Sequence, residues 1–297
     1  MDKVLTLIAA PAQHLDEATV SRVAAALGAE TAPAAWLATG AACDLPFTGI
    51  GLDEARDRAE AALDGRPVDA IAQPAANRRK KLLIADMDST IVTGETLDDM
   101  AALAGIGEAV AAITRRAMNG EIDFAGALRE RVAMLKDRPA DLLERTLAMV
   151  ELMPGARTLT ATMRAHGAHT MLVSGGFRFF TGRVREMAGF DRDEGNVLHV
   201  EGDRLTGTVG DPILGREHKL KVLTETAAAR GLSPAETLAV GDGANDLPML
   251  LAAGLGVAYH AKPSVRAAAH ARIDHGDLTA LLYAQGYRSE EFATPEA

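Results

Sequence analysis

Cysteine is almost missing from this chain: Cys43 is the single one in 297 residues. It cannot close a disulfide within the chain, and its neighbours suggest no zinc site. That fits a reducing cytosol, so a cytoplasmic location is the expectation. Long apolar runs are missing too. Nothing approaches the roughly 18 uninterrupted apolar residues that span a bilayer. The start, Met1 to Ala10, is apolar, but it soon meets Pro11, Asp16 and Glu17 and reads as a strand, not as a signal peptide or membrane helix. Positive charge is scarce. The net charge is −10 and no extended basic block offsets it, which argues against a nucleic-acid surface. There are no internal repeats, and no low-complexity tract beyond a general richness in alanine.

What is present is ample for a large core, with 48% of residues hydrophobic. The length suggests about two domains. Residues 1–75 read as a small unit: a strand from Val4 to Ala9, an amphipathic helix from Leu15 to Leu27, and two short strands within 32–47 around Gly40. A second helix from Leu52 to Leu63 and a last strand from Val68 to Ala72 follow. The order β-α-β-β-α-β is that of a ferredoxin-like α+β fold. Gln73 to Lys81 then reads as a linker, centred on residues 76–80, and its basic cluster Arg78 to Lys81 as a solvated hinge.

From residue 81 to 297 strands alternate with helices, which predicts a Rossmann-like α/β core on a parallel sheet. Strands are expected at Leu82–Ala85, His169–Val173, Thr237–Val240 and Gly256–Ala258. A long helical insertion, about residues 93–153, separates the first two and ends at the breaker pair Pro154-Gly155. Its place directly after the first strand suits a cap over a site. Glu194 to Gly210 reads as a β-hairpin turning at Gly202-Asp203. In open parallel sheets, ligands bind beyond the carboxyl ends of the strands.

The polar residues gather at those ends. Asp86 and Asp88, two positions apart, close the first apolar run and are followed by Ser89 and Thr90. Residues at that spacing share a side of a strand. Two carboxylates held that close repel and attract a cation, and oxygen-only ligands favour a hard ion such as Mg2+. One carboxylate can attack while the other moves protons. Alone, the pair is equally a polar strand end or an Asx turn. Ser174-Gly175-Gly176 ends the second strand, where a hydroxyl and bare amides can cradle a phosphate, although Ser-Gly-Gly is also an ordinary turn. Lys219 and Lys221 lie on a predicted helix, and periodicity does not choose between them. Gly241-Asp242-Gly243-Ala244-Asn245-Asp246 follows the third strand; its glycines allow a tight turn that returns two acids to the strand end. The spacing does not fit an EF-hand.

Together these four segments, in this order, resemble the signatures of the haloacid-dehalogenase-like (HAD) phosphatases. Within that superfamily the resemblance is nearest to the phosphoserine phosphatase family. It rests on Asp86-Met87-Asp88-Ser89-Thr90 with Glu95, on Phe124 to Val132 with Leu135-Lys136-Asp137, on Val173 to Phe177, and on Ala258 to Pro263. It covers about residues 81–285, and bacterial members carry an amino-terminal extension similar to this one.

The resemblance implies the following roles. Asp86 is the nucleophile that becomes an aspartyl-phosphate, and Asp88 is the general acid and then the base. Mg2+ is held by Asp86, the Asp88 carbonyl and Asp242, with Asp246 orienting that shell. Ser174, Gly175, Lys219 and Asn245 hold the phosphoryl group. On the cap, Glu95 pairs with the substrate's ammonium and Arg131 grips its carboxylate, while Met118 and Phe124 form an apolar lid. Read alone, Glu95 is more simply a helix-start acid and Arg131 a partner for a neighbouring glutamate on the cap helix. The implied activity is Mg2+-dependent hydrolysis of O-phospho-L-serine, the last step of serine synthesis. The alternatives are another small phosphorylated amino acid or amino alcohol, or phosphotransfer. The amino-terminal unit resembles an ACT-like module, a class that often pairs or binds effectors, which raises a homodimer as the partner expectation.

Overall fold

A computed structural model describes residues 1–118 and 120–294, without the side chain of Met118. The amino-terminal elements are β1 (Lys3–Ala9), α1 (Glu17–Leu27), β2 (Glu30–Thr31), β3 (Ala35–Ala38), β4 (Ala42–Thr48), α2 (Leu52–Leu63) and β5 (Val68–Pro74). Capping fixes α1 at both ends. Asp16 accepts the Thr19 N–H at 2.6 Å, and Gly28 takes a left-handed φ of 58° that few side chains tolerate. Val20, Val23 and Leu27 recur at helical spacing and are buried. The sheet is antiparallel, in the order β2-β4-β1-β5, with β3 also on β4. This is the expected ferredoxin-like arrangement, with the second strand broken into two pieces.

Period-two alternation decides what each face of that sheet covers. Leu5, Leu7 and Ala9 pack with Val68 and Ala70 under the two helices. Ile8, Ala42 and Ile71 point the other way and join the main hydrophobic core of the rest of the chain. Neither face is left to solvent.

The second part runs through β6 (Leu82–Ala85), α3 (Thr96–Leu103), α4 (Gly107–Met118), α5 (Phe124–Ala133), α6 (Leu142–Leu147), α7 (Ala156–Ala165), β7 (His169–Phe177), α8 (Arg178–Ala188) and β8 (Arg192–Asn196). It continues with β9 (Leu198–Glu201), β10 (Arg204–Val209), α9 (Arg216–Ala229), β11 (Thr237–Gly241), α10 (Leu247–Ala252), β12 (Leu255–Tyr259), α11 (Pro263–Ala268), β13 (Ala271–Ile273) and α12 (Ala280–Ala284). Six strands form one parallel sheet, β13-β12-β11-β6-β7-β8. Leu83 and Ala85 face the layer of α7, α8 and α12, whereas Leu82 and Ile84 face α9, α10 and α11. The four expected strands are its interior. The edges β8 and β13 went unpredicted because Arg192–Asn196 is polar and Ala271–Ile273 is short.

The four helices α3 to α6 leave the sheet after β6. They return through a bridge of Val92 with Leu152, where Met153 N–H donates to Ile91 O at 2.8 Å. The β9–β10 hairpin docks on this cap: Leu205 N–H donates to Arg138 O, and Asp137 N–H to Leu205 O, both at 2.9 Å. Glu194, expected to open the hairpin, belongs instead to β8 of the main sheet. Among the described residues no helix is long and apolar enough to cross a membrane.

One expectation fails. The basic cluster is not a solvated hinge. Arg78 reaches across to Asp44 at 2.6 Å, and Lys80 is buried, its ammonium on Ala235 O at 2.7 Å. Only Arg79 and Lys81 of the four lie on the surface, paired with Glu291 and Glu236. Charges read as solvated from sequence are here donors to carbonyls and a carboxylate of other segments.

Candidate active site

The cleft lies where the carboxyl ends of β6, β7 and β11 meet the cap. Asp86 follows β6, and its N–H donates to Val240 O of β11 at 3.0 Å, which ties it to the neighbouring strand. Lys219, in the first turns of α9, is the lysine that enters. Its ammonium lies 2.6 Å from Asp86 Oδ1 and 2.6 Å from Asp246 Oδ1, with only 2% of its side chain exposed. Lys221 is 62% exposed and far weaker paired, 3.9 Å from Glu225, so burial settles what periodicity left open. Desolvation works against the Lys219 charge, but Asp246 and Asp86 outweigh it and raise its pKa. Burial, then Asp246, pushes Asp86 well above the ordinary aspartate range, with Lys219 pulling the other way.

Asp246 is fully buried. Its Oδ2 accepts the Gly243 N–H at 3.0 Å while its Oδ1 holds Lys219. Gly241 makes room for it, since a Cβ there would collide with the Asp246 carboxylate. Asp242 stands beside the pair, and Thr90 Oγ1 donates to it at 3.5 Å. Burial and then Asp246 raise its pKa. One oxygen each from Asp86, Asp242 and Asp246 lies within 4.8 Å of the others. Three carboxylates against a single buried ammonium leave an all-oxygen cluster with excess negative charge. That donor set fits a hard divalent cation.

Asp88 faces the other side of the cleft. Its Oδ1 accepts the Thr96 N–H at 2.8 Å, and its Oδ2 accepts the Ser174 hydroxyl at 3.2 Å. Ser174 Oγ also accepts the Gly176 N–H at 2.8 Å. Burial raises the Asp88 pKa, against these hydrogen bonds. Ser174–Gly176 lies within β7, where the register with β8 shifts between Val173 and Phe177. Phe124, at the start of α5, lies directly over Gly175 and Gly215, where any Cβ would press on its ring.

Glu95 caps the approach to α3 and accepts the Ser89 hydroxyl at 2.8 Å. Its carboxylate opens to solvent at the cleft mouth, yet the close protein walls and then Asp88 push its pKa up to about 7. Arg131 sits in the last turn of α5, half-buried, and donates through Nε to Ala127 O of its own helix at 3.3 Å. Among the described residues it forms no ion pair; its neighbour Glu130 is taken by Arg116 at 2.7 Å. Burial lowers the Arg131 pKa, while Asp98 and Glu95 counter it, so the two oppositely charged cap residues feel each other.

Most residues expected at the site thus converge, and Asn245 does not. Asn245 is exposed, packs against Gly243, and has no hydrogen bond to Lys219 among the described residues. The Met118 side chain lies outside the described residues. Sequence reading assigned no part to Thr96, whose backbone N–H holds Asp88, or to Thr90. Nor did it assign one to Lys262, whose N–H donates to Asp242 O at 3.2 Å and whose ammonium stands 3.9 Å from Asp242 Oδ2. Lys262 was within reach, since it sits in the Ala258–Pro263 stretch that carried part of the resemblance. A backbone donor such as that of Thr96 leaves no trace in side-chain chemistry.

Residues 83–251 match the haloacid dehalogenase-like hydrolase family. The chain is 40% identical over 230 residues to a phosphoserine phosphatase of Archaeoglobus fulgidus, covering 77% of this chain and 67% of that one. It is 42% identical over 232 residues to a phosphoserine phosphatase of Streptomyces coelicolor, covering 78% of this chain and 57% of that one. It therefore spans about two thirds or less of the length of these curated relatives. Among solved structures, a HAD family hydrolase from Salmonella enterica serovar Typhi superposes with a TM-score of 0.84 at 29% identity, over 98% of this chain and 99% of that one. A family match running from the strand before Asp86 into the helix after Asp246, with relatives 40% identical and more, makes this chain a member of the haloacid dehalogenase-like hydrolases.

Proposed function

We propose that the chain is a Mg2+-dependent phosphomonoester hydrolase that converts O-phospho-L-serine to serine and phosphate. The observation that carries the chemistry is the contact of Asp86 with Lys219 at 2.6 Å, across the cleft from Asp88. Lys219 offsets the charge that would otherwise keep a carboxylate from approaching a phosphate dianion. Asp86 attacks phosphorus and the ester oxygen leaves, taking the proton that Asp88 supplies; the raised pKa of Asp88 suits that donation. Asp88 then accepts a proton from the water that attacks the aspartyl-phosphate, which frees Asp86 and phosphate. Ser174, the Gly175 amide and Lys219 hold the phosphoryl oxygens, with Asn245 at the rim. Asp86, the Asp88 carbonyl and Asp242 would hold Mg2+, and Asp246, with both oxygens already engaged, orients them. The ion would supply positive charge that keeps the nucleophile ionised and screens the phosphate.

The substrate reading rests on the relatives named phosphoserine phosphatase and on the cap. Glu95 and Arg131 offer one negative and one positive group toward the same cleft, which suits an amino-acid zwitterion. Phe124, with Met118 as the other lid residue, closes the apolar side. We read residues 1–75 as an ACT-like unit, 76–80 as the connection and 81–297 as the phosphatase core, with the cap at about 93–153. A cytoplasmic location and a homodimer belong to the same reading. The test is phosphate release over a panel of phosphoserine, phosphothreonine, phosphohomoserine, phosphoethanolamine and p-nitrophenyl phosphate, with Mg2+ and after chelation. A kcat/KM for phosphoserine about a hundredfold above the others is expected, corresponding to roughly 2.7 kcal/mol of discrimination. A flat profile sinks the substrate assignment, and full activity after chelation sinks the metal.

A further inference from the structure

Asn196, the last residue of β8, is 2% exposed and has no part among the site residues read from the sequence. Its side chain bridges β7 and the segment before α9, which the chain keeps far apart. Nδ2 donates to Gly175 O at 2.8 Å and to Leu214 O at 3.1 Å, and Oδ1 accepts the Leu214 N–H at 2.8 Å. The amide orientation is unambiguous: flipped, it would set its oxygen against two carbonyls and its NH2 against an N–H. A purely space-filling role needs none of these bonds. Three satisfied bonds on a buried amide fix position in a way an apolar side chain does not.

What the amide joins is telling. Gly175 follows Ser174 at the end of β7, and Ser174 holds Asp88 at 3.2 Å. Leu214 directly precedes Gly215, the N-cap of α9, and the Lys219 N–H reaches back to Gly215 O at 3.4 Å. Lys219 therefore sits one turn beyond the point that Asn196 clamps. Ser174 and Lys219 approach the cleft from different elements, β7 and α9, and a phosphate must meet both at once.

We propose that Asn196 is a positioning residue for phosphate binding, setting the separation between the Ser174–Gly176 end of β7 and the start of the Lys219 helix. The assignment rests on reading this cleft as a phosphate site, whichever phosphate ester occupies it. Loss of the clamp lets the two halves drift, so every phosphate-bearing ligand loses affinity by the same factor, whereas groups on the cap act on one substrate only.

The experiment uses the full chain with Mg2+ and two variants. Asn196→Asp keeps the shape but turns an acceptor toward two carbonyls, and Asn196→Ala removes all three bonds. The readouts are the inhibition constant of inorganic phosphate, and kcat and KM for p-nitrophenyl phosphate and O-phospho-L-serine. The expected result is a common rise in the phosphate inhibition constant and in both KM values, roughly tenfold or more, in variants that still unfold cooperatively. A folded variant whose phosphate constant moves by less than about twofold overturns the proposal, even if its thermal midpoint falls. If neither variant folds, hydrogen exchange on the unaltered chain decides. Inorganic phosphate should then protect peptides covering 174–177 and 211–216 together, and protection confined to the first overturns it. Should phosphoserine prove no substrate, only the substrate assignment fails; inorganic phosphate and p-nitrophenyl phosphate still read Asn196.

Discussion

Arg78 donates to both carboxylate oxygens of Asp44, at 2.6 and 2.9 Å, and so fastens the connecting segment to the amino-terminal sheet. The same guanidinium donates to the Thr6 hydroxyl at 3.0 Å and to Ala284 O at 3.2 Å, reaching α12 of the core. Asp69 adds a second tie, accepting the N–H of Asp274 at 2.8 Å and of Gly276 at 2.7 Å. Removing one partner of a largely buried pair leaves an uncompensated charge. Arg78→Ala should lower stability by about 3 kcal/mol, read by urea unfolding, whereas an exposed pair such as Lys221–Glu225 should contribute under about 1 kcal/mol. Equal effects at both sites would show the clamp to be unimportant. Because Ile8, Ala42 and Ile71 complete the main core, a chain begun at residue 76 should aggregate or melt well below the full chain.

The reach of the sequence has a physical pattern. Interior strands were legible because burial on both faces demands continuous apolar runs, as in Leu82–Ala85. Asp86 and Asp88 were legible because they recur with Ser174-Gly175-Gly176, Lys219 and Gly241 to Asp246 in one family's order; alone, the pair reads equally as a strand end or an Asx turn. The edges β8 and β13 were not, since a strand with one neighbour needs no such run. The role of Asn196 was invisible for a different reason: it lies in the stretch read as a β-hairpin, and only the fold brings Gly175 and Leu214 to its amide. The hinge reading failed because a basic run carries no mark of whether carbonyls and carboxylates await it.

Replacing Asp86, the proposed nucleophile, should separate activity from stability. Asp86→Asn keeps shape but lacks the charged oxygen, so turnover should fall on the order of a thousandfold or more. Folding should not suffer. The raised pKa of Asp86 means that its ionised form opposes the fold at neutral pH, and Lys219 retains Asp246. Thermal unfolding of the metal-free variant should therefore match or exceed the unaltered chain. Near-normal turnover in Asp86→Asn would remove it as the attacking group.

Arg131 offers a test of selectivity. It forms no ion pair among the described residues, so its charge is available to a ligand. Arg131→Ala should raise KM for phosphoserine on the order of tenfold to a hundredfold, the loss of a charge-assisted pair, and leave p-nitrophenyl phosphate within about twofold. A parallel rise for both substrates would make Arg131 a structural residue of α5.

Glu95 makes the selectivity depend on pH. Its pKa of about 7 is raised first by burial and then by Asp88, so it loses its charge as pH falls through neutrality. Only the ionised form pairs with an ammonium group. The kcat/KM for phosphoserine should then fall below about pH 7, by at most tenfold per unit. The phosphate's own ionisation contributes to the same limb, so the profile must be divided by that of Glu95→Gln on the same substrate. The ratio should be high above pH 8 and approach a plateau below pH 6. Stability moves the opposite way. A carboxyl pKa raised in the fold means the native chain holds the proton more tightly, so stability is lost as pH rises from about 4.5 to about 7, and Glu95→Gln should be no less stable at pH 8. A flat ratio would mean that Glu95 does not meet the substrate's ammonium, and the zwitterion reading would then stand on Arg131 alone.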